Sequence, residues 1–196
     1  ANLSDARARW DAGGASERQA EDRPISSVEL LIAGAGPAGM AAAIVARRHG
    51  LQGMVVDDQP APGGQIWRSI ESSSSRDPIL GPAYVEGRGV VEAFRHSGVL
   101  YHSGTQLWKI EPGYRAFVSR ERRTRVIEAK ALILATGAQE RPNPFPGWTL
   151  PGVLSVGAAQ ILLKSAGQIP SRPVWIAGSG PLPLLYGVQV LGAGGH

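Results

Sequence analysis

The first sustained apolar run lies at residues 28–33, with Leu30-Leu31-Ile32 at its centre, as a strand buried on both faces requires. An alanine-dense stretch over 37–49 predicts a helix stopped by Gly50, and 51–56 predicts the next strand. A helix is expected over 83–96, weakened by Gly87 and Gly89. Strand segments are expected around Leu100 and over 106–110, 116–119 and 124–127, closing with a strongly apolar strand at 131–135. Helices over 153–166 and from Pro181 to about Leu191 flank a short strand at 174–177. Strands alternating with helices around an insertion of short strands predict an α/β fold with a parallel sheet.

Breaks in the pattern suggest the domain organisation. Residues 1–27 are polar, mixed in charge and interrupted by Gly13-Gly14 and Pro24, which reads as a flexible leader with a short helix near 7–10. The four consecutive serines within 71–78 predict a mobile surface loop. Residues 141–151 hold four prolines and one glycine, as an interdomain crossing would. The expected division is a leader at 1–27, a first domain at 28–146 and the start of a second at 147–196.

Two glycine turns fall within this frame. Gly34-Ala35-Gly36-Pro37-Ala38-Gly39 follows the first strand and opens the first helix, and Asp57 comes about 20 residues after the turn. In a dinucleotide site, Gly34 permits the tight turn, Gly36 lets a pyrophosphate approach the backbone, and Gly39 lets helix and strand pack closely. The helix N-terminus offers unpaired N–H groups and about half a positive charge to the phosphates. Asp57, followed by Asp58, can accept from ribose hydroxyls and would repel a 2′-phosphate. The second turn, Gly178-Ser179-Gly180, follows 174–177, but Pro183 stands in its third glycine position. Gly53, inside the second strand, should cost it about 0.5–1 kcal/mol.

Composition narrows the classes. With 43% hydrophobic and 18% charged residues the chain is globular rather than disordered. The formal charge of +4 comes from 17 Arg and 3 Lys against 16 acids. Arg120, Arg122, Arg123 and Arg125 read as a solvated hairpin edge, and no aromatic or motif context points to nucleic acid. The absence of cysteine excludes disulfides, thiolate metal sites and cysteine nucleophiles within the chain. No apolar run approaches the ~20 residues of a membrane span, and 1–27 lacks a signal-peptide core, so a cytoplasmic location is expected. His49, His96 and His102 read as surface or turn residues; no catalytic base is singled out and no metal site is expected.

Four signatures in order resemble the two-dinucleotide-binding-domain flavoproteins, the superfamily of thioredoxin reductase. They are the 34–39 fingerprint, Gly63-Gly64-Gln65, Ala135-Thr136-Gly137 after an apolar strand, and Gly178-Ser179-Gly180. The stretches 57–65, 136–142 and 145–153 look most like the large flavin subunits of opine oxidase, hydrogen cyanide synthase and related amino-acid or amine dehydrogenases. The resemblance implies a Rossmann-like FAD-binding domain, its parallel sheet carrying a hairpin or meander insertion, and then the start of a Rossmann-like NAD(P)-binding domain. It implies FAD held by Gly34, Gly36, Pro37, Ala38, Gly39, Asp57 and Asp58, with Gly63, Gly64 and Gln65 toward the flavin. The backbone near Leu107 would meet the adenine, with Ala135, Thr136 and Gly137 beside the cofactor. Gly178 and Gly180 are the corresponding NAD(P) candidates.

The departures shape the expected function. Where thioredoxin-reductase-type enzymes carry C-x-x-C, this chain has Val156 and Ala159, and Gln160 replaces the following acid. By that comparison thiol–disulfide chemistry is gone, while hydride chemistry at a flavin is retained. The segment that completes such a first domain after the second one is not found, which suggests a truncated chain. The expectation is a flavin-binding subunit of an FAD-dependent dehydrogenase or oxidase in a hetero-oligomer, acting on an amino acid, opine or amine, directly or through a partner flavoprotein. The alternatives are a non-catalytic fragment for nucleotide binding or for assembly with other subunits, and an NAD(P)H-dependent reductase acting alone.

Overall fold

The computed structural model describes residues 24–196. In chain order the elements are β1 (Pro24–Ala33), α1 (Pro37–Arg48), β2 (Gly53–Val56), α2 (Asp77–Leu80), α3 (Pro82–Val85), α4 (Gly87–His96), β3 (Leu100–His102), β4 (Gln106–Glu111), β5 (Arg115–Arg120), β6 (Arg123–Leu134), α5 (Val156–Ala166) and α6 (Pro181–Gly192). They form two compact units: residues up to Gly64 with Gly89–Gly137, and Gln65–Arg88 with Ala138–His196. Residues 65–88 thus fall in the second unit, although the sequence reading set them within 28–146.

The first unit holds one six-stranded sheet in the order β3-β2-β1-β6-β5-β4. β1 pairs in parallel with β2 and β6, and β2 in parallel with β3; β4, β5 and β6 form an antiparallel meander. The chain winds outward from β1 through β2 to β3 and returns on β1's other side as β6. The strand order therefore reverses at β1, the point where open α/β sheets bind ligands beyond their carboxyl ends.

Alternation builds the core. Leu31, Ala33, Met54 and Val56 cluster with Ala116, Val118, Ile127 and Ala129 of the meander. The intervening Leu30, Ile32 and Val55 point to the other side of the sheet and are buried as well, and α1 buries Met40, Ala43 and Ala46. Apolar residues on both faces explain why 28–33 reads as a continuous apolar run.

Several expectations need correction. The segments at 124–127 and 131–135 are one strand, β6, because it serves both the meander and the parallel ladder with β1. The arginine cluster lies at the β5–β6 hairpin tip, not along a sheet edge: Arg120 pairs with Arg123 across Glu121 and Arg122, both in left-handed conformations (φ 51° and 64°) that match a two-residue hairpin turn. The leader is shorter than expected, since Pro24–Ser27 already belong to β1, where main-chain pairing with β6 needs no apolar run. The rest of the expected leader, including the short helix expected near 7–10, lies outside the described residues.

In the second unit the serine-rich segment is ordered. Ser73 is fully buried, its hydroxyl 2.8 Å from the Tyr84 hydroxyl, which donates to the Arg68 carbonyl at 2.6 Å. Asp77 pairs with Arg88 through both terminal guanidinium nitrogens, Nη1 and Nη2. The helix read over 83–96 breaks at Glu86, next to Gly87, where a Cβ would come within 2.4 Å of the Trp67 ring. α5 begins at Val156 because Ser155 caps it, accepting from the Ala158 N–H. No strand forms at 174–177. A strand needs a neighbour to pair with, and the Val174 N–H goes instead to the His196 carbonyl at 3.1 Å. No described helix is long and apolar enough to cross a membrane.

Candidate nucleotide site at the first glycine turn

β1 ends at Ala33 and the chain turns at Gly34, with φ at 102°, a region open essentially to glycine. The Gly34 N–H donates to the Val56 carbonyl and the Ala135 N–H to the Ala33 carbonyl, both at 2.8 Å. These bonds extend the ladders one residue past the ends of β1 and β6. A Cβ on Gly34 would lie 2.3 Å from the Ala135 carbonyl oxygen, and one on Gly39 would lie 1.8 Å from the Gly34 carbonyl oxygen. Both glycines are therefore required by the chain's own packing.

Gly36 is different. Its backbone angles, φ −73° and ψ −176°, suit any residue, and the nearest atom to a Cβ there would be the Gly64 Cα, at 3.9 Å. Nothing among the described residues demands glycine at this position. Gly36 is also the N-cap of α1, and no side chain caps that end. The first turn carries no acid, while Arg47 and Arg48 occupy the last. α5 offers a contrast, because its N-terminus is taken by Ser155 and by Glu140, whose carboxylate accepts from the Gly157 N–H at 2.9 Å.

Asp57 is buried at 7% exposure, and its carboxylate locks the turn. One oxygen accepts from the Ala35 N–H, inside the fingerprint, and the other from the Gln59 N–H at 2.7 Å. Its own main chain is held on both sides: the N–H donates to His102 (3.1 Å) and the carbonyl accepts from Thr105 (2.7 Å). A carboxylate has about four acceptor sites, so it can also serve a ligand hydroxyl. Asp58 is exposed and accepts from its neighbour, through Gln59 Nε2 at 2.8 Å.

The Gly63-Gly64 pair packs on the same turn. The Gly63 N–H donates to the Ala35 carbonyl at 2.9 Å, and a Cβ on Gly64 (φ 58°) would come within 2.9 Å of the Gly36 Cα. Leu107 on β4 turns its side chain into the core around Ala33 and Val56. Thr136 and Gly137 follow Ala135 and are not buried. The first unit thus gathers Gly34, Gly36, Pro37, Ala38, Gly39, Asp57, Gly63, Gly64 and Ala135 about one turn. Gln65, Gly178 and Gly180 belong to the second unit.

His102, read from sequence as a surface or turn residue, is buried, because β3 pairs it with Val56 beside Asp57; its Nδ1 lies 3.5 Å from Arg120. His49 and His96 are exposed. Sequence reasoning also missed Glu140, which no local pattern announces, and Lys164. Lys164 leaves a signal in retrospect: it falls on the buried stripe of α5 with Ala159, Gln160 and Leu163. No group of three or more metal-ligating residues occurs among the described residues.

Residues 28–191 match the pyridine nucleotide-disulphide oxidoreductase family. The chain belongs to that family. Among its curated relatives, an opine oxidase subunit from Agrobacterium tumefaciens is 47% identical over 175 residues, an alignment covering 85% of this chain and 35% of that protein. The HcnB subunit of hydrogen cyanide synthase from Pseudomonas protegens is 35% identical, covering 86% and 37%. The chain therefore spans about a third of the length of these family members. Among solved structures, L-proline dehydrogenase from P. horikoshii superposes with a TM-score of 0.71 over 86% of this chain and 34% of its own, at 22% identity, which establishes a shared fold.

Proposed function

We propose that the chain binds FAD at the first glycine turn, as the flavin-holding part of an FAD-dependent oxidoreductase of amino acids, opines or amines. The observation that carries this reading is Gly36. Unlike Gly34 and Gly39, it has open space where a side chain would go and an unstrained backbone, at the uncapped end of α1. A glycine that the described residues do not require is explained by a ligand that must lie against its Cα. The uncapped helix end fits a pyrophosphate, and Asp57 fits a ribose. Gly63, Gly64 and Gln65 would face the flavin end, with Ala135, Thr136 and Gly137 beside the cofactor.

FAD, when bound, supplies the hydride acceptor, and the protein's contribution is to hold and orient it. With no cysteine in the chain, electrons cannot leave through a disulfide within it. The substrate class and a partner subunit come from the likeness to opine oxidase and hydrogen cyanide synthase subunits. For NAD(P) the support is thinner: Gly178 and Gly180 precede a helix whose first three residues include Pro181 and Pro183, which remove two N–H donors. The test is anaerobic titration of the flavin-loaded protein. Bleaching of the flavin band by an opine, amino acid or amine, with the partner subunit present, is expected; bleaching by NADH or NADPH alone, with no response to those substrates, would overturn the assignment.

A further inference from the structure

α5 buries a lysine. Lys164 is 6% exposed, and its ammonium donates to two uncharged oxygens: the Gln65 main-chain carbonyl at 3.0 Å and Gln160 Oε1 at 2.9 Å. Gln160 is buried too, and its Nε2 donates to Gln189 Oε1 on α6 at 3.1 Å. Buried charges are normally paired with an opposite charge or replaced by an apolar side chain, because desolvation opposes them. The side chain offers a second clue, being one of only three lysines in a chain with 17 arginines. A compact ammonium can reach a single carbonyl where a planar guanidinium fork needs more room.

The carbonyl it holds is informative. Gln65 directly follows Gly63-Gly64 and ends the Pro/Gly-rich segment, and its side chain is exposed. A glycine pair is the least constrained backbone available, so the segment after it needs an external anchor to keep one conformation. We propose that Lys164 is a positioning residue that fixes the main chain of Gln65, so that the loop carrying Gly63, Gly64 and Gln65 is set for the flavin. Gln160 and Gln189 keep the ammonium aimed, since a glutamine oxygen accepts from Lys164 while its amide donates onward. The proposal rests on the FAD reading above, but its anchor exists without a ligand.

The charge state matters to this role. A charge-assisted hydrogen bond is roughly twice as strong as a neutral one, so the anchor is strongest while Lys164 is protonated. Burial, and then repulsion from Arg68 in the same loop, push the Lys164 amine down to about 8. From α6 the group joined to this network is Gln189, an uncharged amide.

The test compares the purified protein with Lys164→Met and Lys164→Gln, using hydrogen exchange without ligand and FAD titration at several pH values. Exchange of the amides over 63–68 should speed up at least tenfold in Lys164→Met, while the amides of β1 and β6 keep their protection. FAD should bind at least tenfold more weakly; a severalfold loss of affinity between pH 7 and 9 is expected of the unmodified protein and should flatten in both variants. Unchanged exchange over 63–68, or an unaltered pH profile in a variant that still binds FAD, would overturn the proposal. Altered exchange in a protein that never binds FAD would contradict the flavin reading and leave the anchor itself standing.

Discussion

The Cα of Gly36 lies so near Gly64 that a methyl group on Gly64 would stand 2.9 Å from it, while a methyl on Gly36 itself would meet nothing closer than 3.9 Å. Two loops, one ending β1 and the other following β2, thus meet backbone to backbone, and only one side of that meeting is closed. Gly64→Ala should be destabilising twice over. The left-handed conformation costs a non-glycine residue roughly 1–2 kcal/mol, and the contact with Gly36 adds to it. A drop in melting temperature of several degrees is expected, with weaker FAD binding. Gly137→Ala shares the positive φ but has no atom within 4 Å of the new carbon, and should cost only the conformational part.

Asp57→Asn tests the locked turn. The substitution keeps the shape but leaves one oxygen for two main-chain donors, so the Ala35 or the Gln59 N–H would face an amide NH2. Leaving a buried donor unsatisfied costs about 1–3 kcal/mol. Chemical denaturation should show a loss in that range, with an unchanged m-value. A neutral result would mean that Asp57 does not hold the turn.

This bond also marks how far the sequence could be read. The strand–glycine–helix unit and the position of Asp57 were legible because each follows from local period and spacing; Ala135-Thr136-Gly137 was singled out only through the family resemblance. That Asp57 grips Ala35, or that Gly64 abuts Gly36, was not, since both depend on how β2 sits beside β1. The strand expected at 174–177 failed for a related reason: its Val-Trp-Ile-Ala pattern has the right local preference, but pairing is a tertiary property, and Trp175 is left 97% exposed. His102 and Ser73 were misplaced because polarity alone says nothing of a side chain enclosed by its neighbours.

The Lys164 amine carries a pH signature in stability. Its folded-state value, about 8, lies below the ordinary lysine value, so the unfolded chain binds more protons between about 8 and 10.5. Stability attributable to this group therefore rises with pH across that window, by on the order of 3 kcal/mol at 1.36 kcal/mol per unit. Unfolding free energies measured from pH 7 to 11 should show this rise in the unmodified protein and lose it in Lys164→Met. At pH 7 the Met variant should be at least as stable as the parent, a result that separates the positioning role from a folding role.

Asp77 also gains stability as pH rises, but in the acidic range and through a favourable charge rather than a buried one. Its hydrogen bond to Arg88, and to a lesser extent the nearby charge, hold its carboxyl below the usual range. The contribution is complete above the ordinary aspartate value and is lost as pH falls through the lowered one. Asp77→Asn should therefore lower the melting temperature at pH 7 and leave it unchanged at pH 2.

Glu140→Gln removes the carboxylate from the N-terminus of α5. A charge there contributes about 0.3–1 kcal/mol, and salt screens it. The loss should be measurable in low salt and shrink in 1 M salt; an effect independent of ionic strength would point to the Gly157 hydrogen bond alone.

The central claim, that the first glycine turn is shaped for a dinucleotide, is tested most directly by Gly36→Ala. The chain itself has room for this methyl and an ordinary backbone at that residue. The measurement is the FAD dissociation constant of the purified protein and of this variant, by quenching of flavin fluorescence, alongside their melting temperatures without ligand. The account predicts melting within about a degree of the parent and FAD binding weakened at least tenfold. Equal FAD affinity in both proteins, or a parent that binds no FAD, would contradict it.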